Sequence, residues 1–252
     1  SKVPKNVNNI KIRPIEEFFL GDAPIWSDVL SSRIFVTSHA DKISNLVEAK
    51  KNVVVTGIPA SGKSTLMLQL ARTLSKSKRV LVFEDISLNK SNIIRNEIKS
   101  PTIVLIDNFT NDIDAFLNLI NNKFIKLIGF DRYYNVDILS HKMNSKKFEF
   151  YDVSDLEPMD IQGIYKTIPL GMRKTPMISK QNDQDIPSIF EIVNYNINKP
   201  NISSRYIPIL KDLEKTNYIL LELLIMSCYL HACRTPVSFE VANAFLDDDA
   251  LQ

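Results

Sequence analysis

Gly57-Ile58-Pro59-Ala60-Ser61-Gly62-Lys63-Ser64-Thr65 fits the pattern G-x-x-x-x-G-K-[ST], the Walker A phosphate loop. Glycines let such a loop curl until successive backbone N–H groups converge on a phosphate, and the helix that starts at its end turns its positive pole toward the same anion. In this pattern Lys63 bridges phosphate oxygens as a point charge and the Ser64 hydroxyl ligates Mg²⁺. All nine residues, Gly57, Ile58, Pro59, Ala60, Ser61, Gly62, Lys63, Ser64 and Thr65, are candidates for nucleotide contact. The chain has only 6 glycines, and two of them occupy the motif's fixed positions. The flanks supply the required context. Asn52 to Thr56 is an apolar run of strand character, and Leu66 to Ala71 continues as a helix.

Working outward, residues 51–153 alternate strand and helix. Strands are expected at Asn52–Gly57, Arg79–Asp85, Thr102–Asp107, Phe124–Asp131 and Lys147–Val153. Helix-length segments lie between them at Lys63–Lys76, Leu88–Ile98, Asp112–Asn121 and, more poorly, Tyr134–Met143. Near-continuous apolar strands separated by helices predict an α/β fold with a five-stranded parallel sheet covered on both faces. Residues 1–50 form a preamble, in which Gly21-Asp22-Ala23-Pro24 turns between two apolar groups and Asp41–Lys50 leads as a helix into the first strand. Phe18, Phe19 and Trp26 read as packing rather than base-stacking residues. Residues 154–204 read as a small helical lid, opened by a capping box at Ser154-Asp155-Leu156-Glu157 and containing a helix after Pro187. A polar stretch, Asn194–Ser204, follows. Residues 205–252 read as the start of a helical or winged-helix module, with helices at Thr216–Ala232 and Ser238–Leu246. A chain that opens at Ser1 and closes at Gln252 just past a helical stretch reads as a piece of something longer.

A phosphate loop needs a carboxylate for the metal. Thr102-Ile103-Val104-Leu105-Ile106-Asp107 is an apolar strand ending in Asp, the Walker B pattern, and parallel strands present their C-terminal ends to one crevice. Asp107 and Ser64 are therefore the candidate Mg²⁺ residues. Asn108 follows where hydrolytic relatives of the pattern place a Glu; an amide can orient water but cannot accept its proton. Asp112 is one candidate to reach in from the next helix, and Glu84 with Asp85 is either near the rim or a solvated surface pair. Fast multiple-turnover hydrolysis is therefore not expected. Arg132, at the end of the fourth strand, is placed to sense a γ-phosphate, so Lys63, Asp107, Asn108 and Arg132 make up the candidate chemistry. Arg33, with the apolar run Ile34-Phe35-Val36, is a candidate for the base-binding wall.

The rest of the chain narrows the classes. A hydrophobic content of 44% and a net charge of +2 suit a globular protein with no global drive toward nucleic acid. The longest apolar run, Tyr218 to Leu230, is too short and too interrupted to span a membrane, and the N-terminus has no signal-peptide pattern, so the expected location is cytoplasmic. Cys228 and Cys233 suit neither a metal pair nor a disulfide and are expected as buried free thiols. His39, His141 and His231 are scattered and have no metal-binding spacing.

The loop Gly57–Thr65, the strand end Ile106-Asp107-Asn108, the strand-end Arg132 and Pro187 together resemble the STAND ATPases, the signal-transduction branch of AAA+-related P-loop NTPases that includes NACHT and NB-ARC proteins. The resemblance implies the additional-strand sheet order 5-1-4-3-2, preference for ATP/ADP with Mg²⁺, and a Gly-x-Pro in the lid that touches adenine. Here the matching stretch is Asp185-Ile186-Pro187, which lacks the Gly. The segments Phe18–Asp28 and Leu230–Val237 are similar to bacterial members fused to effectors, including SIR2-type NADases in antiphage defence. The implied behaviour is a switch: ADP holds the lid closed, exchange to ATP opens it and permits self-association, and effector and sensor domains lie elsewhere. An AAA+ motor or loader acting on DNA is the alternative, with Arg132, Arg173 and Arg205 as arginine-finger candidates. A small-molecule kinase would need more lid arginines than Arg173 alone, and a non-hydrolysing scaffold is a further reading.

Overall fold

Strand alternation sorts the apolar residues onto two faces, and the helices follow. The structure is a computed structural model that describes residues 3–4, 10, 12–49, 51–143, 147–177, 188–197, 200–232, 235 and 237–246. Its strands are β1 (Asn52–Thr56), β2 (Arg79–Phe83), β3 (Thr102–Asp107), β4 (Ile125–Phe130) and β5 (Phe148–Asp152). Its helices are α1 (Ile15–Phe19), α2 (Trp26–Leu30), α3 (Ser38–Glu48), α4 (Lys63–Leu74), α5 (Leu88–Glu97), α6 (Ile113–Leu119), α7 (Tyr133–Ile138), α8 (Pro158–Thr167), α9 (Ile189–Asn196), α10 (Pro200–Thr216), α11 (Tyr218–Ala232) and α12 (Phe239–Leu246).

The five strands form one parallel sheet in the order β2-β3-β4-β1-β5. Every strand expected from the sequence is present, with ends that differ by no more than two residues, and the order is the one the family resemblance implies. Val53 and Val55 of β1 belong to one buried cluster with Ile43 and Val47 of α3 and Leu66, Leu70 and Leu74 of α4. Val54 belongs to the other, with Ile113, Phe116 and Leu119 of α6. Period-two alternation thus feeds two cores, one on each face. Because all strands are parallel, the C-terminal ends of β1, β3 and β4 reach the same edge, beside the first turn of α4.

The preamble is built into this layer. Asp28 of α2 is completely buried and accepts from two of the three Arg13 side-chain nitrogens, Nε at 3.2 Å and Nη2 at 2.5 Å, together with the Ile25 N–H at 2.9 Å. That ionic tie closes the turn at Gly21–Pro24 against the P-loop helix side, where Val29 joins the core.

Residues Ser1–Ile197 make one compact unit and Asn198–Gln252 another. In the first unit α8 begins at Pro158, with Glu157 as its N-cap, so the helix starts later than a box at Ser154–Glu157 would place it. Proline at the first helical position sets the start. The Ser154 hydroxyl is used elsewhere: it accepts the Ile58 N–H at 3.1 Å and donates to Asp152. In the second unit the described residues form three helices. The sequence reading missed α10, because Pro200 at its first turn and Pro208 within it resemble breakers. The following apolar helix starts at Tyr218, not Thr216, and Cys228 on it is exposed, contrary to the expected burial. Ile225 and Tyr229 on the same helix are exposed as well. Pro187 and Cys233 lie outside the described residues, as does the side chain of Arg205.

Arg13→Ala leaves the fully buried Asp28 carboxylate without its counter-charge. It is expected to destabilise the chain by about 3 kcal/mol, read as a lower urea midpoint with an unchanged m-value.

Candidate nucleotide-binding site

The loop between β1 and α4 owes its shape to residues that tolerate positive φ. Ala60 (φ 60°) and Gly62 (φ 81°) are both left-handed, and Gly62 is the N-cap of α4. A Cβ at Gly62 would also lie 2.6 Å from Ile189 Cδ1, so α9 sits directly on the loop. A backbone bond from Phe190 N–H to the Ala60 carbonyl accompanies this contact.

The two chemical residues of the loop have partners. The Lys63 ammonium donates to the carbonyls of Gly57 at 3.0 Å and Ile58 at 2.7 Å and to Ser61 Oγ at 3.3 Å. Burial lowers its pKa from 10.5 to about 8, against the opposing pull of Asp107. The Ser64 hydroxyl donates to Asp107 Oδ2 at 2.6 Å, and Asp107 Oδ1 accepts the Asn108 N–H at 3.1 Å. Burial pushes the Asp107 carboxyl up, and these two hydrogen bonds pull it back. A serine hydroxyl beside one carboxylate is a hard oxygen donor set suited to Mg²⁺ that completes its shell with water and phosphate oxygens. Among the described residues no group of three or more His, Cys, Asp and Glu could hold a metal without such help.

Asp131 is the organising residue that sequence reasoning missed. Its buried carboxylate accepts the Thr110 N–H at 3.1 Å, the Thr110 hydroxyl, the Arg132 N–H at 2.7 Å and the Asn135 side-chain amide at 2.9 Å. One carboxylate therefore ties the loop after β3 to the start of α7, which sets Asn108 and Arg132 on the same rim. The available signal was an Asp at the end of a buried strand, immediately before the Arg that drew attention. Asn108 is left-handed (φ 48°), and the Arg132 guanidinium donates to the Tyr134 hydroxyl at 2.7 Å.

A cleft of about 320 Å³ brings together Pro59, Ala60, Gly62, Lys63, Ser64, Thr65, Asp107, Asn108 and Arg132 with Phe18, Phe19, Ala23, Pro24 and Ile189. Behind it an apolar chamber is lined by Phe19, Ile34, Phe35, Thr65, Leu66, Ile164, Ile189 and Val193, and holds only about 40 Å³ of free space. Phe18 and Phe19 thus line the cavity as well as pack. Phe35 is held by α8: its ring lies 2.2 Å from where a Cβ at Gly163 would be, so only glycine admits it. The Asp160 carboxylate of α8 in turn accepts the Ser38 N–H and hydroxyl, both at 2.8 Å, at the start of α3.

Three expected participants lie elsewhere. Arg33 is exposed, reaches the Arg13 carbonyl at 3.5 Å and lines neither cavity; its neighbours Ile34 and Phe35 form the wall, and Val36 does not. Asp112 caps α6 through the Ala115 N–H and accepts the Leu88 N–H, both at 2.9 Å, which uses both its oxygens on backbone. Arg173 packs over the Tyr165 ring and donates to the Lys166 carbonyl, away from the loop.

A strand–loop–helix with paired serine and aspartate, on a parallel sheet of this order, defines a P-loop NTPase. Residues 16–128 match the family model of novel STAND NTPase 5, a likeness that supports a nucleotide-binding NTPase module. A search of curated proteins finds no match. Among solved structures the chain is similar to the Thermotoga maritima RuvB Holliday junction branch migration motor, at 15% identity over 92% of this chain and 87% of that one, with a TM-score of 0.47. It is also similar to Drosophila ORC bound to DNA, at 14% identity over 48% of this chain and 90% of that one, with a TM-score of 0.37. Among the described residues no helix is long and apolar enough to cross a membrane.

Nucleotide affinity is expected to hold steady up to about pH 8 and to fall above it. Free Lys63 loses its proton there, while the phosphate-bound form needs the ammonium, so binding takes up a proton at higher pH. Titrations with a fluorescent nucleotide between pH 7 and 9.5 test this. Lys63→Ala should bind at least about a hundredfold more weakly and lose the pH trend, in line with removal of a buried charge-assisted contact.

Proposed function

We propose that this chain is the ATP/ADP-binding switch module of a signalling NTPase, in which exchange of the nucleotide moves the α8–α9 pair and permits self-association. The single observation that carries the reading is the seat of Ile189 on Gly62. A helix packed on the phosphate loop feels what occupies that loop, and a ligand shifts a balance only through contacts that differ between two states. Lys63 and Arg132 supply the contacts that distinguish a γ-phosphate, and the chamber walled by Phe19, Phe35 and Ile189 supplies the seat for the base. Its free space is far below the roughly 300 Å³ of an ordinary ligand pocket, so the base enters as α9 lifts.

Ser64 and Asp107 hold Mg²⁺ in this reading. Asn108 in place of a Glu supports slow turnover, suited to a device that must remain in one state. ATP is preferred over GTP on the strength of the family resemblance; the chain has no Asn-Lys-x-Asp guanine-reading motif. The similarity of the preamble and of Leu230–Val237 to effector-fused bacterial members supports a role in antiphage defence, in the cytoplasm, with effector and sensor domains as partners.

Denaturing the purified protein and identifying the released nucleotide tests the proposal. Stoichiometric ADP from the wild type and an empty Lys63→Ala variant are the expected results. Empty wild-type protein that turns over added ATP rapidly would overturn the switch and favour a motor. Ile189→Ala should speed release of a fluorescent ADP by roughly tenfold, equivalent to about 1.4 kcal/mol of lost α9 contact, while the secondary structure seen by circular dichroism stays unchanged.

A further inference from the structure

We infer that Glu84, the residue that follows the edge strand β2, is the general base for nucleotide hydrolysis, the role that Asn108 cannot fill. The inference rests on the nucleotide-binding reading above and names the residue that acts on the attacking water.

Register places it. The last pair of the β2–β3 ladder is Phe83 with Ile106, so Glu84 leaves β2 at the level of Asp107. Alternation then chooses between Glu84 and Asp85. Val80 and Val82 point into the core on the α4 face, as do Ile103 and Leu105, whereas Ile106 points into the other core. Glu84 and Asp107 continue the α4 set, the face from which Ser64 reaches Asp107. Asp85 falls on the opposite phase.

Space agrees with register. A second cleft of about 600 Å³ is lined by Ala23, Pro24, Glu84, Asp85, Asp107 and Asn108, among others. It shares Ala23, Pro24, Ser64, Asp107 and Asn108 with the cleft that holds Lys63 and the phosphate loop. The two clefts therefore meet at Ser64, Asp107 and Asn108, with the phosphate loop lining the first and Glu84 the second. The second cleft is many times the roughly 30 Å³ that a water occupies. Glu84 is exposed, and among the described residues its carboxylate has no hydrogen-bond or ion-pair partner that would occupy it.

The step balances with water and a nucleoside triphosphate alone. The water oxygen forms a bond to the γ-phosphorus. The bond from that phosphorus to the bridging oxygen breaks, and its electron pair leaves with the diphosphate. The water's proton passes to the Glu84 carboxylate and from there to solvent, while the Asn108 amide orients the water. An exposed base on a neighbouring strand, rather than one fixed next to Asp107, gives the slow turnover a timer requires.

The test measures ATP affinity and phosphate release on the full chain for wild type, Glu84→Gln, Glu84→Asp and Asp85→Asn. Glu84→Gln is expected to lower turnover by about a hundredfold, within the usual range for a general base, with affinity changed less than about twofold. Glu84→Asp should recover part of the rate, and Asp85→Asn should stay within about twofold of wild type. Wild-type turnover in Glu84→Gln, an equal loss in Asp85→Asn, or a wild type that binds ATP and releases no phosphate each overturns the inference. A wild type that binds no nucleotide overturns the proposed function with it, whereas binding without Glu84-dependent turnover overturns this inference alone.

Discussion

A hydroxyl on the first turn of α4 donates to a carboxylate at the end of β3, and the site is arranged around that 2.6 Å bond. It joins the P-loop helix to a strand that is not its neighbour in sequence. β4 lies between β1 and β3, so the loop projects from one strand while its acid comes from two places along the sheet. Asp107 is buried, and a buried carboxylate is costly unless something donates to it. Ser64 and the Asn108 N–H meet that need. The same two oxygens, turned outward, are what a divalent ion requires.

A second layer of buried carboxylates gives the site its shape without touching phosphate. Asp131 gathers four donors between the β3 and β4 ends. Asp160 caps α3 from α8, and Asp28 holds Arg13. Each joins segments far apart in the chain and each is almost wholly enclosed. Such groups are weak sources of net stability but strong sources of register, since no other arrangement satisfies them. In this way the preamble, the sheet and the α8 region become walls of one cleft.

Much of this was legible in the sequence because it depends on local pattern. The phosphate loop, the strand ending at Asp107 and all five strands follow from spacing and apolar runs. What stayed hidden depends on distance. Asp112 looked available until Leu88, from another helix, was found to claim its second oxygen. Arg33 stands one residue before Ile34 and Phe35, which line the chamber, and a single position along an irregular segment reverses what a side chain faces. Glu84 and Asp85 were indistinguishable as a pair; only the register of β2 against β3 separates their phases. The helix Pro200–Thr216 escaped because its prolines mark both a permitted first turn and an interior break.

The enclosure of Asp28 bears on how the module can be divided. A boundary drawn at the first strand would look natural, since the motif begins there. Yet Phe18, Phe19, Ala23 and Pro24 line the nucleotide cleft from the segment before it. A chain shortened to start between Arg13 and Asp28 would keep an orphaned buried anion. One started at β1 would lose a wall of the cleft and bare part of the α4 face. The cleft-bearing unit is therefore not the P-loop core alone: its inheritable minimum extends back at least to Arg13, and any recombination event that moves this domain between proteins must carry that leader with it.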